Sequence, residues 1–90
     1  MLNQQADRSV RLPLRSEMTP RLLTVASLVR HGAVVADVGT DHAYLPIYLI
    51  SSGVATRAVA SDINDGPLSR AENNVRRFSM SDRIALRLTP

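Results

Sequence analysis

Residues 33–38 (AVVADV) and 57–63 (RAVASDI) are short and largely apolar, the first rich in valine, and each reaches an aspartate next to its end. Each is followed by a glycine-bearing turn, GTDHA after the first and NDG after the second, and then by a stretch of helical character. Few folds admit that repeated order. Strands separated by helices are joined by right-handed crossovers, which makes the sheet parallel.

The remaining segments fit the same plan. Thr19-Pro20 opens a helix, with threonine as N-cap and proline at the first helical position, where its missing N–H costs nothing. Leu22, Val25, Ala26 and Val29 recur at helical spacing, and His31-Gly32 reads as the C-terminal cap. The run 44–52 (YLPIYLISS) is apolar nearly all round, Gly53 stops it, and Pro46 places its start near Ala43. After the turn 64–67, Leu68, Ala71, Val75 and Phe78 form one apolar face, with Arg70, Asn73, Asn74, Arg76 and Arg77 on the others. Residues 84–88 (IALRL) alternate as a third strand.

The order α-β-α-β-α-β is one half of a doubly wound, Rossmann-like α/β fold over residues 19–90, preceded by a loose arm over 1–18. A parallel sheet wants cover on both faces and neighbours on both edges, and Pro90 falls where another loop would begin. The chain is therefore expected to be the N-terminal part of a larger protein. Taken alone, it should self-associate or remain only marginally folded, and be incomplete for catalysis.

Composition narrows the function. There is no cysteine, which excludes disulfides and thiolate metal sites, and no metal site is expected. No apolar run approaches the roughly 18 residues of a membrane span, and the N-terminus is no signal peptide, so a cytoplasmic location is expected. Every basic residue is arginine. Residues 1–30 and 70–90 are each basic, while 31–69 hold Asp37, Asp41, Asp62 and Asp65 against Arg57 alone. Basic flanks suit a polyanion, and an acidic centre suits a cationic or hydroxyl-rich small ligand.

Ligands of open α/β sheets sit outside the carboxyl ends of the strands, so residues 37–43 and 61–66 are expected to line one crevice. Gly39 permits a tight turn and close approach of backbone to ligand. Asp62 can accept two hydrogen bonds from a ribose diol. The dinucleotide pattern G-x-G-x-x-G fails here, because Asp41 stands where the second glycine should be. An acid there repels a pyrophosphate and tolerates the ammonium or sulfonium of S-adenosylmethionine. Plainer roles exist for each residue: Asp62 as a turn-former, Asp37 as a cap on backbone N–H groups, His42 as a hydrogen-bonding residue at the helix start. Tyr44 and Tyr48 read as core, and His31 as a cation suited to a helix end.

The block 37–46 (DVGTDHAYLP) resembles the first motif of class I S-adenosylmethionine-dependent methyltransferases. More narrowly, 21–29 (RLLTVASLV), 37–46 and 62–67 (DINDGP) are similar, in order and spacing, to the bacterial family that methylates N1 of adenine 22 in tRNA. The resemblance covers about residues 19–88. It implies S-adenosylmethionine as cofactor and tRNA as partner, bound through the basic flanks and a C-terminal region. It further implies that Asp37 and Gly39 shape the methionine-side loop and Asp62 holds the ribose. Ile63 and Asn64 would flank the adenosine, and Asp41 and His42 would lie near the methionine or the substrate entrance. No catalytic residue is assigned. Other readings are a class I methyltransferase for another RNA or a small molecule, a nucleotide- or NAD-binding module, and a non-catalytic fragment.

Overall fold

The computed structural model describes residues 17–90. Their elements, in order, are α1 (Pro20–Ser27), β1 (Ala33–Val38), α2 (Tyr44–Ser51), β2 (Ala55–Asp62), α3 (Asp65–Arg77) and β3 (Ile84–Leu88). The three strands form one sheet in the order β1-β2-β3, and both pairs are parallel. The expected alternation is present. Two right-handed crossovers that step in the same direction place both connecting helices on one face.

Strand register shows which face that is. Val35, Ala58 and Ile84 are neighbours across the strands, as are Asp37, Ala60 and Leu86. Against this face pack Ile47 and Ile50 of α2 and Ala71 and Val75 of α3, and Ala26 of α1, Met18 and Met80 belong to the same core cluster. On the opposite face the rows are Val34–Arg57, Ala36–Val59–Ala85 and Val38–Ser61–Arg87. Val34 and Val38 are 70% and 71% exposed. The strand read from sequence as buried is thus covered on one side, because the described helices form a single layer.

Local chemistry accounts for most element ends. The Thr19 side chain accepts from the Leu22 N–H, and Pro20 occupies the first turn of α1. Helix α1 nonetheless stops at Ser27, short of the expected His31-Gly32 cap. The chain leaves it through tighter turns, with Leu28 N–H donating to Val25 O and Val29 N–H to Ala26 O. Gly32, at φ +84°, gives its N–H to Val54 O at 2.7 Å, so it caps the entry to β1 and not the helix. His31 lies exposed in that turn, away from the helix end that its expected role required. Helix α3 carries Asp65 in its first turn and Arg76 and Arg77 in its last, which suits its dipole.

The arm expected over residues 1–18 lies outside the described residues except for Glu17 and Met18, and Met18 is buried. Among the described residues no helix is long and apolar enough to cross a membrane.

Candidate functional site

Strands β1 and β2 end side by side, with Val38 paired to Ser61. Just beyond, Gly39 N–H and Thr40 N–H both donate to Ser61 O, each at 2.9 Å, and this folds the β1–α2 loop over the end of β2. Three loop residues adopt left-handed backbone: Gly39 (φ +72°), Asp41 (+59°) and Ala43 (+63°). For a non-glycine residue that conformation costs roughly 1 kcal/mol or more, so the surroundings must hold it. A Cβ built on Gly39 would meet no atom within 4 Å. Glycine is needed here for its backbone angle and for the open space beside it, not to clear a protein neighbour.

The acids of this region differ in their partners. Asp62 is buried; its Oδ2 accepts from Asp41 N–H at 3.3 Å and its Oδ1 from Asn64 N–H at 3.1 Å, which ties the two strand-end loops together. A carboxylate has about four lone-pair sites, so each oxygen keeps room for a further donor. Asp37 is half-buried and accepts from the Thr40 hydroxyl at 2.7 Å, a side-chain donor where backbone N–H groups were expected. Burial pushes its carboxyl above the ordinary range, and the Thr40 bond offsets part of that. Asp41 faces Arg70 with one oxygen at 3.3 Å and His42 Nδ1 with the other at 3.1 Å. The His42 ring stacks on Tyr44 at 5.0 Å between centroids and 6° between planes, and the His42 carbonyl accepts from Asn74 Nδ2 at 2.9 Å.

A recess of ≈ 220 Å³ opens at the start of α2, where no side chain caps the helix. It brings together Asp37, Gly39, Asp41 and His42 of the expected residues, with Thr40, Arg21 and Tyr44 beside them. Asp62 and Asn64 stand behind it, joined through the Asp62–Asp41 and Asp62–Asn64 bonds, and Ile63 is 65% exposed. Sequence reasoning missed Thr40, Arg21, Arg70 and Asn74. The first two lie inside the quoted motifs and were legible there. Arg70 and Asn74 carry no local signal, because the residues they touch lie 29 and 32 positions away.

Among the described residues no cluster of His, Cys, Asp and Glu could hold a metal ion. The C-terminal arginines are partly spent within the fold. Arg70 pairs with Asp41, Arg76 with Glu72 at 3.4 Å, and Arg77 lies 5.0 Å over the Phe78 ring; these three, like Arg57, Arg83 and Arg87, are exposed.

Residues 18–90 match the family model described as a methyltransferase domain. Over 71 residues, 79% of this chain, the sequence is 41% identical to the tRNA (adenine(22)-N(1))-methyltransferase of Bacillus subtilis (strain 168), of which it spans 30%. M. capricolum TrmK, solved in complex with S-adenosyl-homocysteine, aligns with a TM-score of 0.77 at 43% identity, over 80% of this chain and 32% of that one. Streptococcus pneumoniae Sp1610 in complex with S-adenosyl-L-methionine aligns with a TM-score of 0.79 at 41% identity, over 81% and 34% respectively. The chain therefore spans about a third of the length of these relatives.

Proposed function

The chain belongs to the methyltransferase-domain family, and on that footing we propose that it is the cofactor-binding part of an S-adenosylmethionine-dependent methyltransferase acting on N1 of an adenine in tRNA. One observation carries the reading. The glycine loop after β1, which lines the recess, is tied to the acid ending β2 by the Asp62–Asp41 bond. The chain that builds this crevice is 41–43% identical to proteins solved with S-adenosyl-L-methionine or its product bound.

Each residue then has a task. Asp37, short of donors in the recess, faces the cationic methionine end, and Gly39 leaves that side open. Asp41 and His42 form the rim. The spare lone pairs of Asp62 accept the ribose hydroxyls, and Ile63 and Asn64 flank the adenosine, Ile63 offering an exposed apolar surface to a planar base. When bound, the cofactor supplies an activated methyl group, so the protein's work is to orient, desolvate and position. N1 lies on the Watson–Crick edge, and the target base must be unpaired or extruded to reach the methyl. We assign the groups that hold this base to the part of the relatives that the chain does not span. Exposed Arg83 and Arg87 suit a phosphate backbone, and a tRNA substrate places the protein in the cytoplasm.

The same reading includes self-association of this chain, since Val34 and Val38 are exposed on the uncovered sheet face. Calorimetric titration with S-adenosyl-homocysteine, NAD and ATP tests the cofactor assignment, on a sample whose mass is measured by light scattering. S-adenosyl-homocysteine should bind and the other two should not. Binding of NAD or ATP with S-adenosyl-homocysteine silent would overturn the assignment, and the mass of a single chain would remove self-association.

A further inference from the structure

Helix α3 turns one face to the core, and its polar residues lie on the other faces. Two of those polar residues reach beyond the helix. Arg70 and Asn74 are four positions apart, one helical turn, and both reach back to the β1–α2 loop. Asn74 Nδ2 donates to the His42 carbonyl at 2.9 Å, and Arg70 Nη2 meets Asp41 Oδ1 at 3.3 Å. Asp62 holds the same loop from the β2 side through Asp41 N–H. The loop is thus fixed from two elements at once.

The held residues are the strained ones. Asp41 and Ala43 are left-handed without being glycine, and the carbonyl that Asn74 grips belongs to His42 between them. Backbone in such conformations persists only where its environment over-determines it. We propose that Arg70 and Asn74 are positioning residues that keep the loop 39–43 in the shape that forms the recess, without themselves touching the cofactor. The proposal rests on the reading of that loop as the cofactor cradle. Asn74 is the stronger tether. Its bond is part-buried, whereas the Arg70–Asp41 pair has both side chains more than half exposed and is screened by water.

Asn74→Asp keeps the shape, removes the donor and sets a carboxylate against a carbonyl. Hydrogen exchange of the peptide covering residues 39–44 should accelerate about tenfold in this variant, with β1 and β2 unchanged. Affinity for S-adenosyl-homocysteine should fall about tenfold, and affinity for adenosine, which lacks the methionine portion, should fall less. Arg70→Ala should give a smaller effect of about threefold, restored by Arg70→Lys. Unchanged loop exchange in Asn74→Asp would overturn the proposal. So would acceleration spread equally through β1 and β2, which marks a global loss of stability. Faster loop exchange with intact S-adenosyl-homocysteine affinity would overturn the link to the cofactor. A parent chain that binds no S-adenosyl-homocysteine, with the loop still released in Asn74→Asp, would remove the functional reading and leave the tether standing.

Discussion

Asp37 and Asp62 hold comparable places, each at or beside the carboxyl end of a parallel strand, yet their surroundings give them different work. Asp62 is buried with a backbone N–H on each oxygen, so it belongs to the frame that joins two loops and has capacity left for a ligand. Asp37 has one hydroxyl partner and a carboxyl pushed up by burial, so its charge is under-compensated in the recess. Position along a strand does not define such an acid. The donors that the fold brings to it do.

The comparison is tested most severely at Asp62. Asp62→Ala leaves two backbone N–H groups without their acceptor and should cost about 1–3 kcal/mol of stability, read by chemical denaturation. It should also weaken S-adenosyl-homocysteine binding by about 1.5–3 kcal/mol, read by calorimetry. Affinity within about 0.5 kcal/mol of the parent, in a folded variant, would reduce Asp62 to frame alone.

Gly39→Val comes next. A branched residue forced to φ +72° should lose about 1–2 kcal/mol. Its side chain would also fill the open space beside the loop and abolish S-adenosyl-homocysteine binding, while circular dichroism shows the helices retained. A variant that binds as well as the parent would show that this space is not used.

Asp37→Asn is the gentlest change, and it tests whether the Asp37 charge is under-compensated. Burial raises the folded carboxyl above its unfolded value, so the contribution of Asp37 to stability is fully present below the unfolded pKa and is lost as pH rises through the folded one. Ionised Asp37 is therefore a cost at neutral pH. Asparagine still offers an oxygen to the Thr40 hydroxyl, so the stability of the variant relative to the parent should grow between pH ~4 and pH ~7 in thermal unfolding. A relative stability that falls over that interval would mean Asp37 is stabilised as a carboxylate.

Much of this was legible in the residues. β1 and β3 have the expected limits, the start of α1 is set by Thr19-Pro20, and Pro46 and Pro67 lie in first turns. The β1 side of the recess was legible too, because a strand-end acid followed by glycine is a local pattern, whereas no residue of 61–66 lines it. Asp41 shows where that legibility stops. Read along the chain it is a free acid able to attract a cation, but in the fold its carboxylate already faces Arg70 and His42. Val34 and Val35 make the same point about the sheet: adjacent and identical, one is 70% exposed and the other packs on the core.

The sequence by itself determined the order of elements, the capped starts and the position of Gly39, since these follow from dihedral preferences and from neighbours within a few residues. Tertiary structure alone decided the face of the sheet that is covered, the Val54 acceptor of the Gly32 N–H, and the long-range partners of Asp41, His42 and Asp62. The contacts that fix the last of these join residues 21 to 32 positions apart. They exist only after the crossovers have laid β2 and α3 beside the β1–α2 loop, and no local preference encodes that approach.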